Sequence, residues 1–166
     1  MRKRGIVRAC VIAALVVAVA GCGDDGEEAE ETVRETATSV ANRVEGVTRL
    51  RATLTGATEV PTPGDPDATG TATVNLDVTK REACYEVRVN RIDRPVAMHI
   101  HEAEAGKSGG VVVPLTTPTA SDTTTTGCTN VDAGVMTRLA ADPDNFYVNV
   151  HTETYPQGAA RGQLAQ

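Results

Sequence analysis

Residues 71 to 78 read Thr71-Ala72-Thr73-Val74-Asn75-Leu76-Asp77-Val78, with polar and apolar side chains alternating without a break. A β-strand turns successive side chains to opposite faces, so such a stretch has one face to bury and one to leave outside. The same period of two continues on both sides. Downstream, Ala83, Tyr85, Val87 and Val89 oppose Cys84, Glu86 and Arg88; upstream, Leu50, Ala52 and Leu54 oppose Arg49, Arg51 and Thr53. Farther on, Val96, Met98 and Ile100 alternate with Ala97, His99 and His101, and Phe146, Val148 and Val150 alternate with Tyr147, Asn149 and His151. Val111 to Leu115 is a short continuous apolar run, and Ala160 to Leu164 closes the chain. Strands at this spacing, punctuated by Gly and Pro, predict an all-β domain, a sandwich or a barrel, over residues 47 to 166. One short helix is expected, capped by Asp132, carrying Val135, Met136 and Leu139, and stopped before Pro143. Thr116 to Thr126 reads as an exposed loop, and Asp65 and Asp67 among their prolines as an exposed turn.

Before residue 47 the pattern is different. Arg2, Lys3, Arg4 and Arg8 precede an unbroken apolar run from Ala9 to Ala20, too short for a bilayer that needs about 20 apolar residues but suited to a secretory signal. The run ends in Val19-Ala20-Gly21-Cys22, which resembles the bacterial lipobox. That resemblance implies a signal peptide of residues 1 to 21, cleavage before Cys22 and a diacylglyceryl group on its sulfur. Two or more acyl chains anchor stably where one is marginal. The expected location is extracytoplasmic, lipid-anchored to a bacterial cell membrane. Asp24, Asp25, Glu27, Glu28, Glu30 and Glu31 then form an acidic block of the self-repelling kind. Val33, Ala37, Val40, Val44 and Val47 follow at helical spacing, but small and β-branched residues make an isolated helix marginal. Residues 22 to 46 therefore read as a tether or stalk, disordered or partly helical.

Charge narrows the partners. The whole chain carries a formal charge of −6, and losing the four cations of the signal leaves −6 − 4 = −10. Nucleic acid, which demands a basic footprint, is excluded, and so is adsorption onto an anionic lipid surface. With no Trp, one Phe and three Tyr, the core must be built of Val, Leu and Ala, and a covalent staple would help it. Of the four cysteines, Cys10 leaves with the signal and Cys22 is spent on lipid. Cys84 and Cys128 remain as a disulfide pair in an exported protein, without the spacing of a redox or zinc motif.

Leu54-Thr55-Gly56-Ala57-Thr58-Glu59-Val60-Pro61 resembles the opening of the CHRD domain, a module named after chordin and widespread in bacterial exported proteins. Ala68-Thr69-Gly70-Thr71-Ala72 is similar to its next segment. Met98-His99-Ile100-His101-Glu102, with Gly106, Gly109, Gly110 and Val111, is similar to its central block. Tyr147-Val148-Asn149-Val150-His151-Thr152, followed by Pro156, Gly158, Arg161, Gly162, Gln163 and Leu164, is similar to its ending. The four blocks stand in order over residues 48 to 166. The resemblance implies an immunoglobulin-like or Greek-key antiparallel β-sandwich and no established general activity.

The histidines carry a sharper expectation. His99 and His101 are two apart on one strand, so they share a face at roughly 7 Å along it, given ~3.3 Å per residue. Both point away from Met98 and Ile100, as His151 points away from Val148 and Val150, and the chain has no other histidine. If the two strands are neighbours, three imidazoles converge, a set that suits zinc or copper. The pattern also partly resembles Cu/Zn superoxide dismutase: His99, His101 and His151 would stand at copper-ligand positions and Arg161 at an anion-guiding one. There is no histidine between His101 and His151 to bridge to a second metal, and Arg161 follows His151 too closely. A full dismutase is not expected; a degenerate or copper-only relative is left open. The alternative is a structural network in which Glu102, Asn149, Thr152 and Arg161 hydrogen-bond the histidines and pin the register.

Asp142, Asp144 and Asn145 lack the spacing of a calcium loop, Gly106 to Gly110 lack that of a phosphate loop, and no Ser stands in a nucleophile elbow. Catalysis is thus not expected. Two functions stay open. One is a non-enzymatic envelope module, a monomeric domain that binds a protein or glycan through loops such as 61 to 69 and 116 to 130. The other is a copper- or zinc-binding protein, redox-active or not, that uses the three histidines.

Overall fold

The computed structural model describes residues 46–118 and 124–166. The signal peptide, Cys22 and all but the last residue of the tether lie outside the described residues. Among the described residues, eight strands follow in chain order: β1 (Val47–Thr55), β2 (Thr69–Asp77), β3 (Glu82–Asn90), β4 (Ala97–Glu102), β5 (Gly110–Leu115), β6 (Thr124–Asn130), β7 (Phe146–His151) and β8 (Ala160–Gln163). One helix, α1 (Ala133–Ala141), lies between β6 and β7.

The strands form one antiparallel sheet in the order β5-β4-β7-β8-β1-β2-β3-β6. The sheet curls until its two end strands, β5 and β6, approach each other, giving a nearly closed barrel in place of two separately hydrogen-bonded sheets. Where the ends meet, the Tyr85 hydroxyl accepts the Thr116 amide at 2.7 Å. Curling follows from the right-handed twist that long strands impose on a sheet.

The alternation seen in the sequence is the alternation of the barrel. Leu50, Leu54, Val74, Leu76, Val87, Met98, Ile100, Val148 and Val150 fill its interior almost without exposure. Met136 and Leu139 of α1 join them, as the helical spacing predicts. Asp132 caps that helix by accepting the amides of Gly134 and Val135. Cys84 and Cys128 lie directly opposite each other on β3 and β6 and are bonded.

Two expectations need correction. Thr124 to Thr126, assigned to an exposed loop, begin β6 and pair with Arg88, Val87 and Glu86 of β3. Thr is β-branched and favours strands, but a run of it carries no hydrophobic alternation to mark one; the pairing with β3 sets its register. Glu102 also has a different partner from the one expected. It faces Arg138 of α1 in a two-point ion pair at 2.7 and 2.8 Å and makes no hydrogen bond to a histidine.

Candidate metal site

β7, like the short β8 beside it, is buried on both faces. Phe146, Val148 and Val150 face the barrel interior, while Tyr147, Asn149 and His151 face outward beneath a cover of loops. Antiparallel pairing sets three rows across this outer face. Ala97 of β4 stands beside His151; His99 stands beside Asn149 and then Arg161; His101 stands beside Tyr147 and then Gln163. His151 is thus the diagonal neighbour of His99, within reach of long side chains. At His101 the pairing of β4 with β5 slips by one residue: Ile100 faces Val113 and His101 faces Val111. Such a bulge re-aims side chains beside it.

The three imidazoles converge. Their ring centroids are 5.2 Å apart for His99 and His151, 5.6 Å for His99 and His101, and 6.4 Å for His101 and His151. One ring nitrogen of each lies within 4.8 Å of the other two. Two nitrogens on one metal, each at ~2.0–2.1 Å, stand roughly 3.3–4.1 Å apart. The observed limit of 4.8 Å is close to that spacing.

Hydrogen bonding determines which nitrogens are free. His101 Nδ1 is 3.0 Å from the Gly109 carbonyl oxygen, and His151 Nδ1 is 3.1 Å from that of Pro156. A carbonyl only accepts, so each Nδ1 carries the proton, and in the neutral ring Nε2 is then a bare lone pair. Those two Nε2 atoms and His99 Nδ1 are buried without a hydrogen-bond partner among the described residues. Unpaired buried polar atoms are costly, and one such nitrogen on each of three converging rings is a candidate metal donor. Burial lowers the pKa of all three rings below the usual 6.5, and their mutual repulsion adds to it for His99 and His151. The rings are therefore neutral near pH 7, as a ligand must be. The other grouping of donor-type side chains among the described residues, Glu82 with Cys84 and Cys128, has both sulfurs in the disulfide.

The carbonyls that orient the rings come from two glycine-dependent loops. A Cβ on Gly109 would stand 2.0 Å from the Glu102 carbonyl oxygen, so only glycine lets this loop fold back against β4. Gly158 has φ +144°, and a Cβ there would stand 2.5 Å from the Glu59 carboxylate. Thr152, fully buried, holds the second loop by accepting the Tyr155 amide.

The side chains expected to bond the histidines do something else. Asn149 donates to Glu59, a buried carboxyl whose pKa is pushed up to about 7 by burial, against the pull of Arg161. Arg161 is 2 % exposed, so it is not presented to solvent as an anion guide would be. Its guanidinium lies 3.4 Å above the Tyr147 ring and donates to the Lys107 and Glu104 carbonyls. Tyr147 stacks on His101 at 4.8 Å and 7°. Its part in the site was not apparent in the sequence, where it reads as one more alternating residue.

Glu59, Gly109, Tyr147, Asn149, His151, Gly158 and Arg161 thus come from distant blocks of the chain and meet around one face. A family model for the CHRD domain matches residues 50–164. The chain belongs to the CHRD domain family. No curated protein and no solved structure matches it. In this CHRD domain the opening segment contributes Glu59, the central block His99 and His101, and the ending His151 and Arg161, so the separate blocks form one packed region in space.

Proposed function

We propose that this CHRD domain is a non-enzymatic binding module of the bacterial cell envelope, and that what it binds through its histidines is a metal ion, copper or zinc. His99 would contribute Nδ1, and His101 and His151 their Nε2 atoms. One observation carries the reading: three buried ring nitrogens lack any other partner, while two of the rings are tied through their opposite nitrogen to backbone carbonyls. A purely structural network would have used those lone pairs for hydrogen bonds. Bound there, the ion would bring Lewis acidity and, if copper, one-electron chemistry. The chain's own part is to hold neutral donors in place. The lipobox resemblance supports attachment by lipid on Cys22, with residues 22 to 46 spacing the domain from the membrane.

We also read the barrel as a Greek key. With β5 beside β6, the circular order is 1-2-3-6-5-4-7-8, in which 3-6-5-4 has the Greek-key arrangement. A protein or glycan partner on the loops is the second reading, supported by the exposed turn at residues 61 to 63.

The test is elemental analysis by mass spectrometry on protein made without a histidine tag, reloaded separately with copper and zinc, beside His99→Ala and His151→Ala. Near-stoichiometric metal that is lost in both variants is the expected result. Wild-type protein that takes up neither ion would leave the histidines structural.

A further inference from the structure

Resting on that metal reading, one further role can be assigned, to two residues that touch no metal. The outer face of His101 is packed in layers. Its imidazole lies parallel to the Tyr147 ring, and the Arg161 guanidinium covers the ring of that tyrosine. The layers are also joined at their edges. The Tyr147 hydroxyl accepts the Gly109 amide at 3.2 Å, and the carbonyl of the same Gly109 accepts from His101 Nδ1. Arg161 donates to the carbonyls of Lys107 at 2.7 Å and Glu104 at 3.1 Å, two residues of the loop that ends in Gly109. Gln163 ties the start of that loop by donating to the Ala103 carbonyl at 2.8 Å.

We propose that Tyr147 and Arg161 are positioning residues for His101, a clamp that sets its ring plane by stacking and its tautomer by holding the Gly109 carbonyl in place. The physical logic is preorganisation. A histidine free to flip or to exchange its ring proton must be ordered when metal arrives; a clamped one presents its Nε2 lone pair beforehand. Partners that orient a ligating histidine are typically worth 10–100-fold in metal affinity. Arg suits the outer layer because its planar fork stacks on an aromatic face while donating to two carbonyls; Lys can do neither in the same way. His151 has no such stack, and its carbonyl comes from the separate loop at Pro156. It is an internal control.

The experiment is nitrogen-15 NMR of the histidine rings in metal-free, full-length protein, alongside zinc and cuprous-ion titrations against a competing chelator. Wild type is expected to show His101 as a single tautomer protonated on Nδ1. Tyr147→Phe keeps the stack and removes the hydroxyl, and Arg161→Lys keeps the charge and removes the fork. Each is expected to give mixed tautomers at His101, with His151 unchanged, and metal affinity lower by roughly 10–100-fold. Wild-type tautomer and affinity in both variants would overturn the clamp, as would equal disturbance of His101 and His151, which signals general loosening. If Arg161→Lys fails to fold, Tyr147→Phe decides alone. If wild type binds no metal, the metal reading falls, and the tautomer measurement still decides whether the clamp exists.

Discussion

At the scale of single residues, the buried ionisable groups pull stability in opposite directions with pH. The histidines have lowered pKa values, so the unfolded chain binds protons at a higher pH than the folded one. Stability from these groups is complete above about 6.5 and is lost as pH falls through the lower, folded values. Glu59 does the reverse. Its carboxyl, raised to about 7, holds its proton in the folded protein where the unfolded chain has lost it, so its contribution declines as pH rises from 4.5 to 7. Glu59→Gln keeps an acceptor for Asn149 and removes the cost of burying a charge. It is expected to be more stable than wild type at pH 8 and to lose that advantage at pH 5, as read by urea unfolding at both values. Gly158→Ala offers a second check, because its Cβ would collide with the same carboxylate at an unfavourable φ. A loss of roughly 2–4 kcal/mol is expected, from strain added to overpacking. Glu102→Ala should act differently. Its pair with Arg138 is at the surface, so the variant should bind metal as wild type does and lose at most about 1 kcal/mol.

Among the elements, β6 is the one whose identity depends most on its neighbour. Its Thr-rich sequence has few apolar side chains to bury, and its pairing with β3 is stapled at Cys84 and Cys128. The bond closes a loop with a sequence separation of 44, for which the chain-entropy model gives roughly 4 kcal/mol. A Cys84→Ala/Cys128→Ala protein should therefore unfold at lower denaturant. Hydrogen exchange should rise first in β6, with β7 and β8 protected for longer. Uniform loss of protection would instead place β6 in the same cooperative unit as the site strands. The helix α1 was readable in outline for the opposite reason. A cap at Asp132, apolar residues at Val135, Met136 and Leu139 and a stop at Pro143 are all local signals, and α1 appears as they specify.

For the molecule as a whole, metal binding and folding should be linked. An ion that binds the folded protein stabilises it by about 2.7 kcal/mol at 100 times Kd, and protons compete for the same lone pairs. The midpoint of thermal unfolding is expected to rise with added zinc or cuprous ion at pH 7.5. The rise should shrink toward pH 5 and be absent in His99→Ala at either pH. An equal rise in His99→Ala would mean that the ion acts elsewhere on the chain.

By itself the sequence determined the strands with clean alternation, the capped helix, the disulfide partners, the common face of His99 and His101, and membership in the CHRD domain family. These rest on regularities legible along the chain: which face a side chain takes, where a helix begins and ends, which motifs follow one another in order. Only the tertiary structure decided that β4 lies beside β7, that the sheet curls into a nearly closed barrel, and that a Thr-rich segment is a strand. It also decided that Glu102 belongs to Arg138, that the Gly109 and Pro156 carbonyls accept from His101 and His151, and that Tyr147 stacks on His101. Pairing between strands far apart in the chain depends on the closure of the whole sheet. Backbone carbonyls, which every residue has, become specific partners only when loops place them. Alternation can show that Tyr147 faces outward; it cannot show that loops will bury that face and lay its ring against His101.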